Sequence, residues 1–152
     1  MKLELKKLNL EEGETGTFEF LEDTVGELGD IQLLQPVQGE FTLANVGLGY
    51  RMAGGFRTRV RQPCARCLDP VDSDLEVEVD ETYLTEGQEP DQEDIFVLDS
   101  GSLDVSDVVR QNLLMGIDRF ALCNEDCRGL CIVCGANLNH TACAHGLSEK
   151  EK

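Results

Sequence analysis

The 152-residue sequence is poor in aromatic and basic residues. It has no tryptophan, and aromatic residues make up 5% of it, so the core of a folded domain has to be built mainly from leucine and valine. Thirteen Lys and Arg stand against thirty Asp and Glu, which gives a formal net charge of −17. Such a charge repels a phosphate backbone at long range. It therefore argues against tight, direct nucleic-acid binding and favours a basic protein partner.

The sequence also lacks long apolar runs and the usual catalytic motifs. Its first residues, MKLELKKLNLEEGETG, mix lysines with acids and contain no continuous apolar stretch, so they predict neither a secretory signal nor a transmembrane helix. Neither a glycine-rich phosphate loop nor a nucleophile elbow is found. We therefore expect a cytoplasmic protein that is not an enzyme, with no catalytic residues, no membrane contact and no small-molecule substrate.

Alternating polar and apolar residues predict strands over much of the chain. KLELKKL, FEF and two runs between residues 31 and 50 suit half-buried strands, with turns at Gly39 and at the Gly54 and Gly55 pair. FRTRVR and DLEVEV predict a β-hairpin whose tip is PCARCLDP. A helix is predicted near 104–115, capped at Asp104 or Ser106 and ended by Gly116, with one stripe formed by Val105, Val108, Val109, Asn112 and Leu113.

The predicted fold class is α+β. It combines a mainly antiparallel β-sheet, which could close in a barrel-like way, with one principal helix and a C-terminal zinc-knuckle segment. Residues 1–122 would form the β-rich core, and residues 123–146 would pack on the knuckle at 64–67. Residues 147–152 would be a disordered tail, and the acidic stretch TEGQEPDQED at 85–94 would be a mobile loop.

The clearest chemical signal is the distribution of cysteine. Five of the seven cysteines and both histidines lie within residues 123–145, and the other two cysteines form PCARCL upstream. Where thiols stay reduced, paired Cys-x-x-Cys units predict metal ligands more than disulfides. Zinc takes four thiolate or imidazole ligands in a tetrahedron. Spacing favours two sets of four: site one, with Cys64, Cys67, Cys123 and Cys127, and site two, with Cys131, Cys134, Cys143 and His145.

Other uses of these residues stay open. A single site made of Cys127, Cys131, Cys134 and Cys143 would hold one zinc per chain instead of two. The thiols could also serve redox chemistry or be inert buried side chains. His140 would be a spare surface or turn residue. A closed set of four protein ligands leaves no position for water, so we expect any zinc to be structural.

Positive charge is concentrated before the acidic half of the hairpin. Residues 51–67 contain no acid and five arginines, namely Arg51, Arg57, Arg59, Arg61 and Arg66. Arg57, Arg59 and Arg61 alternate with apolar positions and share one strand face, where they could bind RNA phosphates. Alternatively, they could pair across the hairpin with Asp74, Glu76, Glu78 or Asp80, because opposite charges on paired strands are the ordinary arrangement.

Several of these motifs occur together in a known family. In this order, PCARCL, an acidic strand and loop, SLDVSDVVRQNLLM and CNEDCRGLCIVCGANLN resemble the YceD family, the large ribosomal RNA subunit accumulation proteins of bacteria and plastids. The resemblance covers about residues 50–145. Relatives with this tail usually have proline where Ile132 stands, and their last motif is Cys-x-Cys, in which His145 takes the place of the second cysteine here.

The resemblance implies a non-enzymatic ribosome-biogenesis factor that supports accumulation of 23S rRNA. Such a protein would be stabilised by zinc and would bind precursor rRNA or a basic ribosomal protein. The alternative is a zinc-thiolate redox switch or redox-regulated chaperone, in which oxidation expels zinc and exposes apolar surface.

Overall fold

The chain forms a mostly antiparallel sheet with one helix, in a computed structural model that describes residues 1–85, 95–98 and 101–145. Most of the predicted acidic loop and all of the predicted tail lie outside these residues. In chain order the elements are β1 (Lys2–Glu4), a short 3-10 helix (Leu5–Lys7), β2 (Thr15–Glu22), β3 (Gln32–Leu33), β4 (Val37–Asn45), β5 (Gly49–Pro63), β6 (Pro70–Leu84), β7 (Ile95–Val97), β8 (Ser102–Asp104) and α1 (Val105–Gly116).

The main sheet is open. Its strand order is β2-β4-β5-β6-β7, and β3 pairs with β5 beyond the end of β4. Among the strands that the structure describes, only β6 and β7 run parallel, while β1 and β8 form a separate antiparallel pair. In the part of the chain that the structure describes, β2 and β7 are edges and no pairing joins them, so the barrel-like closure is wrong. The helix and the N-terminal residues pack on the inner face of the sheet. In a closed barrel, that face would instead be enclosed by further strands.

The core lies between the inner face of the sheet and α1. The predicted helix is confirmed: Asp104 caps it by accepting a hydrogen bond from the Ser106 N–H (3.1 Å), and its buried side chains are Val105, Val108, Val109 and Leu113. Each such side chain contributes about 1.5–3 kcal/mol when fully removed from water. Gly116 ends the helix where a Cβ would come within 2.6 Å of Val77 on β6, so a larger residue would push the helix away from the sheet. Among the described residues, no helix is both long and apolar enough to cross a membrane.

The predicted β5–β6 hairpin is confirmed and is the longest element pair in the structure. Its strands pair in register from Gly49 opposite Leu84 to Pro63 opposite Pro70. Inner positions such as Phe56 and Val79 are buried, whereas the intervening charged residues are exposed. The hairpin thereby carries PCARCLDP at its tip, beyond the edge of the main core.

Three glycines that the sequence predicted as turns lie inside strands. Gly39 is on β4, opposite Phe56, and Gly54 is on β5, opposite Phe41. A Cβ on Gly39 would lie 2.2 Å from the Gly55 carbonyl oxygen, and one on Gly54 would lie 2.5 Å from the Glu40 carbonyl oxygen. The turn prediction is therefore wrong at these positions, because the missing side chains allow the neighbouring strands and the two phenyl rings to approach closely.

The N-terminal strand prediction is also only partly correct. KLELKKL forms three strand residues and then a 3-10 helix that buries Leu5, which is 1% exposed. The turn between β4 and β5 is formed by residues 46–48, and not by Gly54 and Gly55 as predicted. Gly47 in this turn has a φ of 85°.

Candidate metal centres

The tip of the β5–β6 hairpin is a knuckle that presents two cysteines. The Cys64 N–H donates to the Asp69 carbonyl (2.8 Å), and the Leu68 N–H donates to the Cys64 carbonyl (3.0 Å). The Arg66 N–H points at the Cys64 sulfur at 3.4 Å. Leu68 closes the turn with a φ of 65°, which is rare for a residue with a side chain. This turn holds Cys64 and Cys67 on the same side of the tip.

The segment after α1 brings two more cysteines to this tip. Gln62 on β5 donates its side-chain amide to the Asp118 carbonyl (2.8 Å), and the Ala65 N–H donates to the Ala121 carbonyl (2.9 Å). The segment then turns so that the Cys123 N–H points at the Cys64 sulfur (3.4 Å). Backbone pairing with the hairpin therefore positions the CNEDC stretch beside the knuckle.

The four sulfurs of site one have the separations expected for ligands of one metal ion. The Cys64 and Cys127 sulfurs lie 3.7 Å apart, and the Cys67 and Cys123 sulfurs lie 3.5 Å apart. All four lie within 4.8 Å of one another. Four thiolates at 2.3 Å from a tetrahedral zinc would be separated by about 3.8 Å, whereas a disulfide needs about 2.05 Å. The geometry fits a four-thiolate zinc site.

Site two repeats the knuckle in the C-terminal segment. The Cys131 N–H donates to the Ala136 carbonyl (2.8 Å), and the Gly135 N–H donates to the Cys131 carbonyl (2.8 Å). Gly135 has a φ of 72°. These are the same two hydrogen bonds, at the same spacing, as in the hairpin knuckle. The chain then returns so that one ligand atom from each of Cys131, Cys134, Cys143 and His145 lies within 4.8 Å of the others.

The two sites differ strongly in exposure. In site one, Cys64, Cys67 and Cys127 are buried, and Cys64 is 0% exposed. In site two, only Cys131 is buried, while Cys134 and His145 are exposed. Site one is thus enclosed between the hairpin tip and residues 122–130, and site two opens to solvent.

The surroundings of the sulfurs favour the thiolate form at several positions. Burial acts to raise the pKa of Cys64, but the N–H groups of Arg66 and Cys123 lower it to about 6. The N–H groups of Cys134 and Val133 lower the pKa of Cys131 to about 6. Thiolates are the form that binds zinc.

Other thiols in the two groups are held towards the neutral form. Burial raises the pKa of Cys67 and of Cys123, and hydrogen bonding with Cys131 raises the pKa of Cys143. Adjacent thiolates repel one another, so a divalent cation is the natural means of ionising all members of each group.

The family model that matches the chain covers this whole region. The family described as "Large ribosomal RNA subunit accumulation protein YceD" matches residues 52–152, more than half of the chain and all eight candidate ligands. The chain belongs to the YceD family.

Curated relatives of this YceD chain match shorter stretches. It is 40% identical over 50 residues to "Large ribosomal RNA subunit accumulation protein YCED homolog 1, chloroplastic" of Arabidopsis thaliana, covering 33% of this chain and 16% of the relative. It is 45% identical over 40 residues to the protein of the same name from Zea mays, covering 26% of this chain and 14% of the relative. The chain therefore aligns with about a sixth of the length of these relatives. No solved structure matches it.

Residues that support the sites were missed by the sequence reasoning. In this YceD chain, the Asn139 side-chain amide donates to the Cys127 sulfur (3.4 Å), and its oxygen accepts from the Arg128 N–H (2.8 Å). Asp69 accepts hydrogen bonds from the Asn137 amide (3.0 Å) and faces the His140 ring nitrogen at 2.8 Å. GANLNH therefore docks site two onto the hairpin tip. The asparagines two residues apart were the available signal, since asparagine side chains often bond to nearby backbone.

The five arginines of the predicted RNA-binding strip mostly have partners in the YceD fold. Arg51 makes two hydrogen bonds to Asp80 (2.6 and 2.7 Å), and Arg61 makes two to Asp72 (2.6 and 2.7 Å). Arg59 lies 3.7 Å from Asp74. The remaining two are Arg57, which lies opposite Glu76, and Arg66, which donates to the Cys127 carbonyl (3.2 Å). The geometry favours the cross-hairpin pairing that the sequence offered as the alternative.

Proposed function

We propose that this YceD-family protein supports accumulation of large-subunit (23S) rRNA as a non-enzymatic ribosome-biogenesis factor stabilised by two zinc ions. The description of the family as large ribosomal RNA subunit accumulation proteins supports the biological role. The observation that carries the molecular part is the gathering of eight ligand atoms into two groups of four, all inside the family's matched region. The predicted division at residues 122 and 123 is part of this proposal, since the second unit is the zinc-binding one.

The zinc at site one would have a structural role. It would join the hairpin tip to a segment 56 residues further along the chain, as measured from Cys67 to Cys123. The apolar residues around it form a small cluster separate from the main core, with Val71, Leu122 and Leu130 packed against the cysteines. So small a cluster cannot hold a segment by apolar burial alone, so metal binding would supply the missing folding energy.

A basic ribosomal protein is the better supported partner of the two that the sequence leaves open. The net charge of −17 opposes approach to RNA, and three of the five arginines are already engaged with carboxylates. Direct RNA binding through Arg57, Arg59 and Arg61 would have different consequences. Phosphate contacts would give binding that weakens steeply with salt, and replacing Arg57, Arg59 and Arg61 with alanine would abolish function without loss of fold.

Complementation tests the proposed role. Cells lacking the gene would be supplied with the wild-type chain, a Cys64→Ser Cys127→Ser variant, or the triple arginine variant, and the ratio of 23S to 16S rRNA would be measured. We expect the deletion and the cysteine variant to lower the ratio and the arginine variant to restore it. An unchanged ratio on deletion would contradict the role, and failure of the folded arginine variant would favour direct RNA contact.

One observation supports redox behaviour, namely the exposure of Cys134. This exposed thiol belongs to site two, whereas the cysteines of site one are largely shielded from solvent. It therefore supports redox sensitivity of part of the molecule more than a redox-regulated chaperone.

A further inference from the structure

The two candidate zinc sites have the same knuckle but opposite accessibility. A thiolate reacts with an oxidant only where the oxidant can reach its sulfur. Cys134 is the only cysteine among the described residues, which include all seven, that is classed as exposed. The two residues before it, Ile132 and Val133, are 102% and 67% exposed, so nothing in the described part of the chain shields that edge of the knuckle.

Site one is protected from several sides. The sulfurs of Cys64 and Cys127 each accept hydrogen bonds from within the fold, from the Cys123 N–H and the Asn139 amide respectively. Cys67 is 3% exposed. The hydrogen bonds and the enclosure hold these sulfurs away from solvent.

We propose that site two is a peroxide-sensitive zinc–thiolate site and that site one is a permanent structural site, so that mild oxidation releases one metal ion and frees residues 142–145 while the rest of the fold persists. This inference rests on the proposed loading of both sites with zinc. It assigns different roles to two groups that the sequence treats as equivalent.

The chemistry is a two-electron oxidation of Cys134 and Cys131 by a peroxide. The Cys134 thiolate attacks one peroxide oxygen, the O–O bond breaks, and the products are a sulfenic acid on Cys134 and hydroxide, which takes a proton to become water. The Cys131 thiolate then attacks the Cys134 sulfur. The S–S bond forms, the S–O bond breaks, and the departing hydroxide takes a second proton to give another water. Two thiolates are oxidised and one peroxide is reduced to two waters.

Cys131 is the expected second sulfur because the knuckle holds it near Cys134 without metal. Only two residues separate them, and the turn is closed by backbone hydrogen bonds between Cys131 and Gly135 and between Cys131 and Ala136. Cys143 comes from a later part of the chain and is held near the knuckle by the metal ion. Once Cys131 and Cys134 form a disulfide, only Cys143 and His145 are left as ligands, and the metal no longer holds Cys143 in place. Asn137 and His140 contact Asp69 at the hairpin tip, and Asn139 contacts Cys127 of site one, so these anchoring contacts do not involve the four ligands of site two. Release is therefore confined to the residues after Thr141.

The test uses the full chain purified with zinc. Metal content is measured first, because fewer than two zinc ions per chain would contradict the proposed loading and not the order of oxidation. Hydrogen peroxide is then added in steps, zinc release is followed with a chromogenic chelator, and disulfides are mapped by mass spectrometry after alkylation. We expect one zinc to be released together with a Cys131–Cys134 disulfide, while the four thiols of site one remain reduced.

A matched variant separates oxidation from simple metal loss. Cys134→His keeps four zinc ligands but removes the exposed thiol, so we expect it to retain two zinc ions and to release zinc at least about tenfold more slowly in peroxide. Simultaneous release of both ions would overturn the proposal, as would a first disulfide that contains Cys143 or any cysteine of site one. Equal release from Cys134→His and wild type would also overturn it. Disulfide order is read from thiols alone, so it decides the proposal even in a chain that holds no metal.

Discussion

At the residue scale, the position after the second cysteine of each knuckle has a left-handed backbone. Gly135 fills it in site two, and Leu68 fills it in the hairpin tip with a φ of 65°. This conformation is unfavourable by about 1–2 kcal/mol for a residue with a Cβ and almost neutral for glycine. Leu68 is 64% exposed, so its side chain recovers little of this cost by burial. The hairpin knuckle is therefore strained at one residue where its counterpart is not.

This difference predicts that Leu68→Gly is more stable than Leu68→Ala. Both changes remove the leucine side chain, but only glycine relieves the backbone, so the free energy of unfolding should differ by about 1 kcal/mol in favour of glycine. Urea unfolding with zinc present measures it. Equal stabilities, or a more stable alanine variant, would show that the turn adopts another backbone in solution.

At the element scale, glycines inside β4 and β5 set how closely the strands and their phenylalanines pack. Gly54 and Gly55 are neighbours on β5 but face opposite sides. A Cβ on Gly54 would lie 2.5 Å from the Phe41 Cβ, whereas a Cβ on Gly55 would have no atom within 4 Å. We expect Gly54→Ala to cost about 3 kcal/mol of stability through overpacking. Gly55→Ala should change stability by less than about 0.5 kcal/mol.

Thermal and urea unfolding of the two alanine variants provide the measurement. Because the substitutions are adjacent and chemically identical, they lose the same backbone entropy in the unfolded chain. Similar destabilisation of both would mean that the β4–β5 approach is not the reason for glycine at position 54.

The elements that could be predicted from the sequence are those specified by local pattern. The α1 stripe and its Asp104 cap, and the alternation on either side of PCARCLDP, depend only on residues close in the chain. Gly39 and Gly54 were misassigned because their role depends on Phe56 and Phe41 on the paired strand, which no local window contains. The open sheet was missed for the same reason, since its edges depend on which strands meet.

The candidate sites, too, could be predicted from the sequence only in part. Spacing alone predicted how the eight ligand candidates group, because Cys-x-x-Cys turns are local and the pairs needed only to be matched. The contacts of Asn139 with Cys127 and of Asn137 with Asp69 could not be predicted, since the first joins residues 12 apart in an irregular segment and the second exists only after that segment has met the hairpin tip. The exposure that separates site two from site one likewise depends on that meeting.

At the scale of the whole molecule, two unequal cores are joined through site one. The main core holds the sheet and α1, and the small cluster around Cys64, Cys67 and Cys127 holds the segment after the helix. None of the eight ligand candidates belongs to the cluster that buries the apolar face of the sheet. Residues 117–145 make backbone contacts with the hairpin at few places, among them Ala65 with Ala121 and Arg66 with Leu130. Their order should therefore depend on site one far more than the order of the sheet does.

This dependence predicts a local response to loss of site one. In Cys64→Ser, amide hydrogen exchange should quicken throughout residues 117–145, by tenfold or more at about 1.4 kcal/mol of lost protection, while β4 and β5 keep most of theirs. Cys134→Ser is the matched control: it removes one thiolate from site two and should quicken exchange mainly after Thr141, because the backbone hydrogen bonds of the knuckle and the contacts of Asn137, Asn139 and His140 do not need the metal. Hydrogen exchange followed by mass spectrometry distinguishes the two patterns, with zinc content measured on the same samples. Loss of protection across the sheet in Cys64→Ser would mean that site one holds the whole fold together, and equal patterns in the two variants would mean that the sites do not act separately.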